Sequence, residues 1–356
     1  MSSAAIVIDL AGDAYARGRC QALAAPEAVP AVREAVDSRM AAAGYMARPD
    51  IVAFLSRQHA FAGSADPEGL AEVAGIADGF GIAPRRLFDY LHLGLAADLA
   101  AAPPPVADGC TALAFARRGG GAVVAKNRDF RGEHLALQRV FRHRDPAWGG
   151  RSMICVGSLG APGAYSSGIN SDGLALADTQ IATDDHGIGL LRYFVMTRLL
   201  TGCADVAAAK AMLRSLPHAG GGSLVMADAG GAVAAVEIGH RVLDIERPAD
   251  RRVARTNRFV SPALAGRTLP AGEVDTSEAR LARVRAWLAE GHEGEAALRA
   301  LLSGHDSAGG GDGLCRHHLP GGSRTISGVI FDTARPGAMF CPDRPCAGPW
   351  LTVGMA

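Results

Sequence analysis

Residues 108–111 read Asp-Gly-Cys-Thr, and a cysteine in that setting has an unusual chemical option. Its thiol can attack the carbonyl of Gly109 to give a thioester that water then resolves. The glycine lets the backbone strain and the sulfur approach without a Cβ clash. The product is a cysteine whose own α-amine is free, titrating near ~7.7–8.0, so it can take the thiol proton at neutral pH. One residue, Cys110, would then be both nucleophile and base. Alone, the tetrapeptide also reads as a glycine turn before a small buried cysteine. Its company carries the argument. The run Lys126-Asn127-Arg128-Asp129 closes the next alternating segment, and a hairpin starting at Cys110 would return that end across the sheet. Asp129 would then lie beside the Cys110 amine and orient it by a charge-assisted hydrogen bond. Lys126 stands out because only it and Lys210 among the 36 basic residues are lysines.

These residues need a scaffold, and the pattern supplies one. Helical spacing of Val, Leu, Ile and Ala over 30–43 and 67–80, with a further helix from Pro84 to about Ala100, makes the first hundred residues mainly helical. From Cys110 the texture changes to short alternating runs: TALAFARR, AVVAKNRDF, SMICVGSLG and GLALADTQIA, punctuated by turns such as Gly119-Gly120-Gly121. Helix returns over 190–216, then strands SLVMAD and AVAAVEIG, a helix over 276–290, a Gly-rich loop at 308–313, and a closing strand in TISGVIFD. The reading is α+β, sheets sandwiched by helices, without internal repeats. The Pro-rich 103–105 stretch is the strongest boundary, and it falls just before Cys110.

Composition narrows the class. The 356 residues carry no formal net charge and are 49% hydrophobic, enough for one large domain or two modest ones with a substantial core, and no basis for nucleic-acid or anionic-membrane binding. The N-terminal stretch lacks a basic region followed by a long apolar core, and no segment approaches 18 uncharged apolar residues, so neither secretion nor membrane insertion is expected. Seven cysteines, an odd number, fit free thiols in a reducing cytoplasm. Cys315, His317 and His318 form a C-x-H-H run without a second ligand pair at zinc-finger spacing, so no metal is expected. No Walker loop, dinucleotide fingerprint, H-E-x-x-H or G-x-S-x-G motif is present, and no cofactor is implied.

Taken in order, the motifs resemble one family. DGCTALAF followed by KNRDF resembles the β-subunit start of the acyl-coenzyme A:6-aminopenicillanic acid (isopenicillin N) acyltransferases. These are N-terminal-nucleophile hydrolases, distantly similar to choloylglycine hydrolases and penicillin V amidases. GDAYARGRCQA and LAEVAGIADGFGI resemble the family's opening and helical segments. SGINSDGL resembles its G-x-N-x-x-G-L turn, ARTNRF its H-T-N-H-F/Y segment, TSEARL its S-x-x-R helix start, and LCRH with Ser323-Arg324 its C-terminal block.

The resemblance implies a four-layer αββα sandwich and cleavage between Gly109 and Cys110. An α-chain of 1–109 and a β-chain of 110–356 would stay together as one structural domain, a heterodimer alone or within a higher oligomer. It implies Cys110 as nucleophile, Asn257 as oxyanion donor and Asp129 as the functional aspartate. Lys126, Thr111, Asn170, Ser323 and Arg324 are the candidate substrate-binding residues. Lys126 stands where the bile-salt and penicillin V hydrolases carry arginine, and Asn170 either shapes the pocket or supports a tight turn. The family's histidines around T-N are replaced by Arg255 and Arg258. The implied function is hydrolysis of a linear amide through an acyl-enzyme thioester. The alternatives are acyl transfer from an amide or acyl thioester to an amine, and a non-catalytic, unprocessed binding module.

Overall fold

A computed structural model describes residues 6–102, 109–270, 276–307, 311–317 and 323–355, so the Pro-rich boundary at 103–105, Asp108 and His318 lie outside the described residues. The chain opens with strand β1 (Val7–Ala11) and helices α1 (Ala14–Ala24), α2 (Val29–Ala42), α3 (Pro49–Ala65), α4 (Pro67–Phe80), α5 (Pro84–Leu91) and α6 (Leu93–Leu99). Proline in the first turn starts α3, α4 and α5, where its missing N–H would have had no helical partner. Helix α4 stops at Gly81, whose φ of 64° is left-handed. The glycines of the two N-terminal motifs mark a close helix crossing. A Cβ on Gly18 of α1 would strike the Glu72 carbonyl, and one on Gly75 of α4 the Tyr15 carbonyl.

Then follow β2 (Thr111–Ala116), β3 (Ala122–Arg131), β4 (Gln138–Arg144), β5 (Ser152–Ser158), β6 (Ser167–Asn170) and β7 (Ala175–Gln180). Helices α7 (Arg192–Gly202) and α8 (Val206–Ser215) divide the 190–216 helical segment, because Asp205 caps a new N-terminus by accepting from Ala208 N–H. Strands β8 (Gly222–Ala227), β9 (Val233–Ile238), β10 (Leu243–Glu246) and β11 (Arg252–Arg255) precede helices α9 (Ser277–Ala289) and α10 (Glu295–Leu302). The chain ends in β12 (Ser323–Asp332), β13 (Gly337–Cys341) and β14 (Leu351–Gly354). The expected closing strand is thus β12, with a further hairpin after it. β1, inside a region expected to be helical, is a second addition.

Eight strands form one sheet in the order β1-β4-β5-β6-β7-β8-β9-β10, and six form the other, β11-β2-β3-β12-β13-β14. Alternation along β2 shows how they stack. Ala112 and Ala114 pack with Val124, Ile154, Val156 and Val225 in a core between the sheets. Leu113 and Phe115 point the other way, onto Leu281, Val284 and Leu288 of α9 and Leu298 of α10. The outer face of the eight-stranded sheet packs against the N-terminal helices and α7. Helix, sheet, sheet, helix is the αββα sandwich, and every residue of β2 is buried because its sheet is covered on both faces.

Candidate active site

The hairpin β2–β3 sets the geometry. It pairs Thr111 with Asn127 and Ala112 with Lys126, and two glycines of its turn, Gly120 and Gly121, hold φ of 97° and 68°. Continuing that register puts Cys110 opposite Arg128 and Gly109 opposite Asp129. Opposite residues of an antiparallel pair share a face, so the side chain of Cys110 lies with Lys126 and Arg128 on the inter-sheet side. Gly109 and Asp129 share the other side. An ideal Cβ on Gly109 would sit 2.6 Å from Asp129 Oδ2 and also crowd Arg316 Nη1, so a side chain there would have to displace one of these groups.

Cys110, 8% exposed, opens into a cavity of about 100 Å³ between the ends of the sheets and the N-terminal helices. Tyr90 of α5, Leu93 of α6, Phe130, Tyr165 and Tyr193 give it apolar and aromatic walls. Lys126 crosses to the other sheet, donating from Nζ to Asp178 Oδ1 at 2.5 Å and to the Ser166 carbonyl at 3.2 Å. Arg192 Nε donates to Asp178 Oδ2 at 3.2 Å. Burial pushes the Asp178 carboxyl up, but Lys126 and Arg192 outweigh it and hold the group below its ordinary value. Burial raises the Cys110 thiol, partly opposed by Lys126, so in the intact chain the sulfur carries its proton at neutral pH.

Behind the Gly109 side of Cys110 stands Arg280, 1% exposed. Its Nη1 donates to the Gly109 carbonyl at 3.2 Å, the Cys110 carbonyl at 2.7 Å and Thr111 Oγ1 at 2.8 Å. Its Nη2 donates to Asn257 Oδ1 at 3.0 Å. One guanidinium therefore ties the Gly109–Cys110 backbone to Asn257, whose Nδ2 donates to the Gln180 carbonyl at 2.9 Å. Asn257 is not itself a cavity wall, but Gln180 is.

Asp129 accepts from Thr325 Oγ1 at 2.6 Å through Oδ1. A bulge in β12 between Thr325 and Ser327 accompanies that aim. Its Oδ2 is buried without a hydrogen bond among the described residues, with Arg316 Nη1 3.9 Å away. Burial lifts the carboxyl to about 6, against the pull of Arg280, Thr325 and Arg316.

Gly109, Cys110, Thr111, Lys126 and Asp129 are thus brought together, with Asn257 joined through Arg280. Asn170, Ser323 and Arg324 are not. Asn170 is fully buried and spends its amide on the fold: Nδ2 donates to the carbonyls of Leu200 and Cys203 at 2.9 and 2.7 Å, and Oδ1 accepts from Leu174 N–H at 2.9 Å. It supports the turn rather than a pocket. Ser323 and Arg324 pair with Arg131 and Phe130 along β12–β3, and the Arg324 guanidinium packs over Gly132, outside the cavity. Arg255 and Arg258 are committed to carboxylates, Arg255 to Glu237 and Glu246 at 2.8 and 2.6 Å and Arg258 to Glu278 at 2.7 Å. Arg280, Arg316, Thr325 and Asp178 belong to the site without having been singled out for it. The visible signals were the S-x-x-R helix start, which contains Arg280, the LCRH run, which contains Arg316, and the TISGVIFD run, which begins at Thr325.

Two face-to-face sheets clothed by helices, with a cysteine entering the cavity from the head of an interior strand, define the N-terminal-nucleophile hydrolase class of fold. Comparison with known sequences narrows this. The chain belongs to the family described as acyl-coenzyme A:6-aminopenicillanic acid acyl-transferase, whose sequence profile matches residues 116–346. The match begins at the last residue of β2 and includes Lys126, Asp129, Asn257 and Arg280. No curated protein matches the chain. Among solved structures it is similar to an arginine-to-leucine variant of conjugated bile acid hydrolase from Clostridium perfringens, with 12% identity, TM-score 0.46, and coverage of 69% of this chain and 97% of that one. A cysteine-to-alanine mutant of the same hydrolase gives 11%, 0.44, 68% and 96%. Penicillin V acylase from Agrobacterium tumefaciens gives 15%, 0.36, 69% and 86%. Among the described residues no helix is long and apolar enough to cross a membrane.

Proposed function

We propose that this chain is a self-processing cysteine N-terminal-nucleophile amidohydrolase. The observation that carries the reading is the division of labour across the Gly109–Cys110 peptide. Its carbonyl rests on Arg280 and its glycine against Asp129, while the cysteine side chain enters the cavity on the opposite face.

In self-cleavage Cys110 Sγ adds to the Gly109 carbonyl carbon, and Arg280 Nη1 receives the developing oxyanion. The C–N bond breaks as the thiol proton passes to the leaving nitrogen, which becomes the new α-amine, and water then hydrolyses the thioester to free the thiol and a Gly109 carboxylate. The α-amine would then stand beside Asp129 Oδ2, the carboxylate oxygen with an acceptor site to spare. An amide substrate would be attacked by the same sulfur, its proton passing to the α-amine and then to the leaving nitrogen. Asn257, with a second N–H beyond the one given to Gln180, would hold the substrate oxyanion, a donor worth about 2.7–4 kcal/mol in such reactions. The aromatic and apolar walls suit an apolar acyl group, and Lys126 would border it, whereas Thr111 faces away from the cavity and supports Arg280. Acyl transfer differs only in that an amine, rather than water, reaches the thioester. The working form would be a two-chain protein of residues 1–109 and 110–356 in the cytoplasm.

Intact mass and denaturing gels test this directly. Two fragments meeting at Gly109/Cys110, abolished by Cys110→Ala, are expected. Incubation with a panel of amides and acyl thioesters should then add an acyl mass to Cys110. A chain that stays whole, with an unreactive Cys110, overturns the proposal and favours a binding module.

A further inference from the structure

Far along the chain from the cavity-lining residues, three loops converge. His305 follows α10, Cys315 and His317 precede β12, and Cys346 sits between β13 and β14. One ligand atom from each lies within 4.8 Å of all the others. His317 Nε2 is 3.2 Å from Cys346 Sγ and 3.7 Å from Cys315 Sγ. Donors around a tetrahedral zinc ion, with Zn–S of about 2.3 Å and Zn–N of about 2.0–2.1 Å, stand roughly 3.4–3.8 Å apart. Shifts of about 1 Å or less would close the set. Two thiolates and two imidazoles are a closed structural zinc set, and tetrahedral S₂N₂ is the geometry that singles out zinc among common divalent ions.

The loops are fastened to one another independently of any ion. The N–H groups of Leu314 and Cys315 donate to the Gly304 carbonyl at 2.9 and 3.0 Å, bringing Cys315 beside His305. Ser303 Oγ donates to the Pro345 carbonyl at 2.9 Å, bringing Cys346 to the same place. Arg283 Nη1 donates to the His305 carbonyl at 2.7 Å, and Gly313 N–H to Asp306 Oδ1 at 2.6 Å. A ligand set held by such outer hydrogen bonds is preorganised for the ion.

We propose that His305, Cys315, His317 and Cys346 form a structural zinc site that clamps the 311–317 loop to α10 and the β13–β14 connection. Binding exchanges two thiol protons for Zn²⁺, so the site stays neutral while two protons leave to solvent. The expectation of no metal came from spacing within one segment. The second ligand pair comes instead from His305 and Cys346, on other loops. The clamp has a target: Arg316, between two ligands, is the residue beside Gly109 and Asp129.

The full-length protein, purified with reduced thiols and exposed to zinc chloride, should hold one zinc per chain by elemental analysis after gel filtration. Cobalt(II) should give the intense visible bands of a tetrahedral site together with thiolate charge transfer. His305→Ala and Cys346→Ala should each lose the bound zinc and the zinc-dependent rise in melting temperature, whereas Cys20→Ser, on α1, should keep both. Zinc-free protein under these conditions, zinc kept by both ligand variants, or a Cys315–Cys346 disulfide found by mass in the reduced preparation each overturns the site. None of these readings depends on cleavage or on catalytic activity.

Discussion

Arg280→Lys would isolate the contribution of one guanidinium to the proposed self-cleavage. Arg280 Nη1 is within hydrogen-bond distance of the Gly109 carbonyl oxygen, which would become the oxyanion, and the same nitrogen supports the Cys110 carbonyl and Thr111 Oγ1. Lysine keeps the charge, but its single nitrogen cannot reproduce the fork that reaches Gly109 and Asn257 together. An oxyanion donor is worth about 2.7–4 kcal/mol, which is roughly 10²–10³-fold in rate. The buried carbonyls left short of a donor cost about 1–3 kcal/mol each in stability, so the variant is expected to melt lower while remaining folded. The assay is a time course of intact mass on freshly purified precursor, alongside a thermal melt. Precursor should accumulate, with cleavage slowed by roughly 10²–10³-fold at temperatures where the variant is folded. Cleavage at the unmodified rate in a folded Arg280→Lys chain would refute the assignment of Arg280 to the reacting carbonyl.

Three further outcomes follow from the buried groups. Asp129 has its carboxyl raised by burial from 3.8 to about 6, so the folded, uncut chain holds a proton that the unfolded chain releases between those values. Stability conferred by the protonated form is therefore lost as pH rises from about 4 to about 6. In a Cys110→Ala background, the melting-temperature advantage of Asp129→Asn over Asp129 should grow across that interval, and a difference independent of pH would contradict the raised carboxyl. Lys126→Met should destabilise by on the order of 3 kcal/mol in denaturant titration, because it removes one partner of a buried ion pair, with Arg192 limiting the loss. Equal stability would show that the pair contributes nothing. Asn170→Ala should lower stability while leaving kcat/KM per folded molecule unchanged, since its amide is spent on Leu200, Cys203 and Leu174. A selective fall in kcat/KM would return Asn170 to the site.

Local signals carried much of this architecture. Prolines at helix starts, alternation in TALAFA and AVVAKNRDF, and the glycines between them were enough to pair β2 with β3 and bring Asp129 to the Gly109–Cys110 junction. Signals failed where meaning depended on a distant partner. VIDLA is too short to declare itself, and becomes a strand only because β4 offers a parallel edge with Val7 opposite Val140. The β13–β14 hairpin is likewise defined by its place on β12. Asn170 and Arg280 show the same limit from two sides: one looked available and is consumed by backbone groups, the other sits in a helix start and reaches the backbone of Gly109 and Cys110. His305 and Cys346 carry no spacing relative to Cys315, so only folding makes them neighbours.

The seating of β1 has a consequence for any two-chain form. This strand, from the segment before residue 109, lies in the same eight-stranded ladder as β4 to β10, and the helices that follow it share that sheet's core. Cutting at Gly109 would leave no detachable prodomain, because the boundary between the pieces is the interior of the molecule. The halves would behave as a nicked single domain, melting in one cooperative transition at a temperature insensitive to dilution over the working range. Separately made pieces would have to fold together rather than dock. The cut would be irreversible in effect: the chain ends could not be exchanged with another copy without unfolding both.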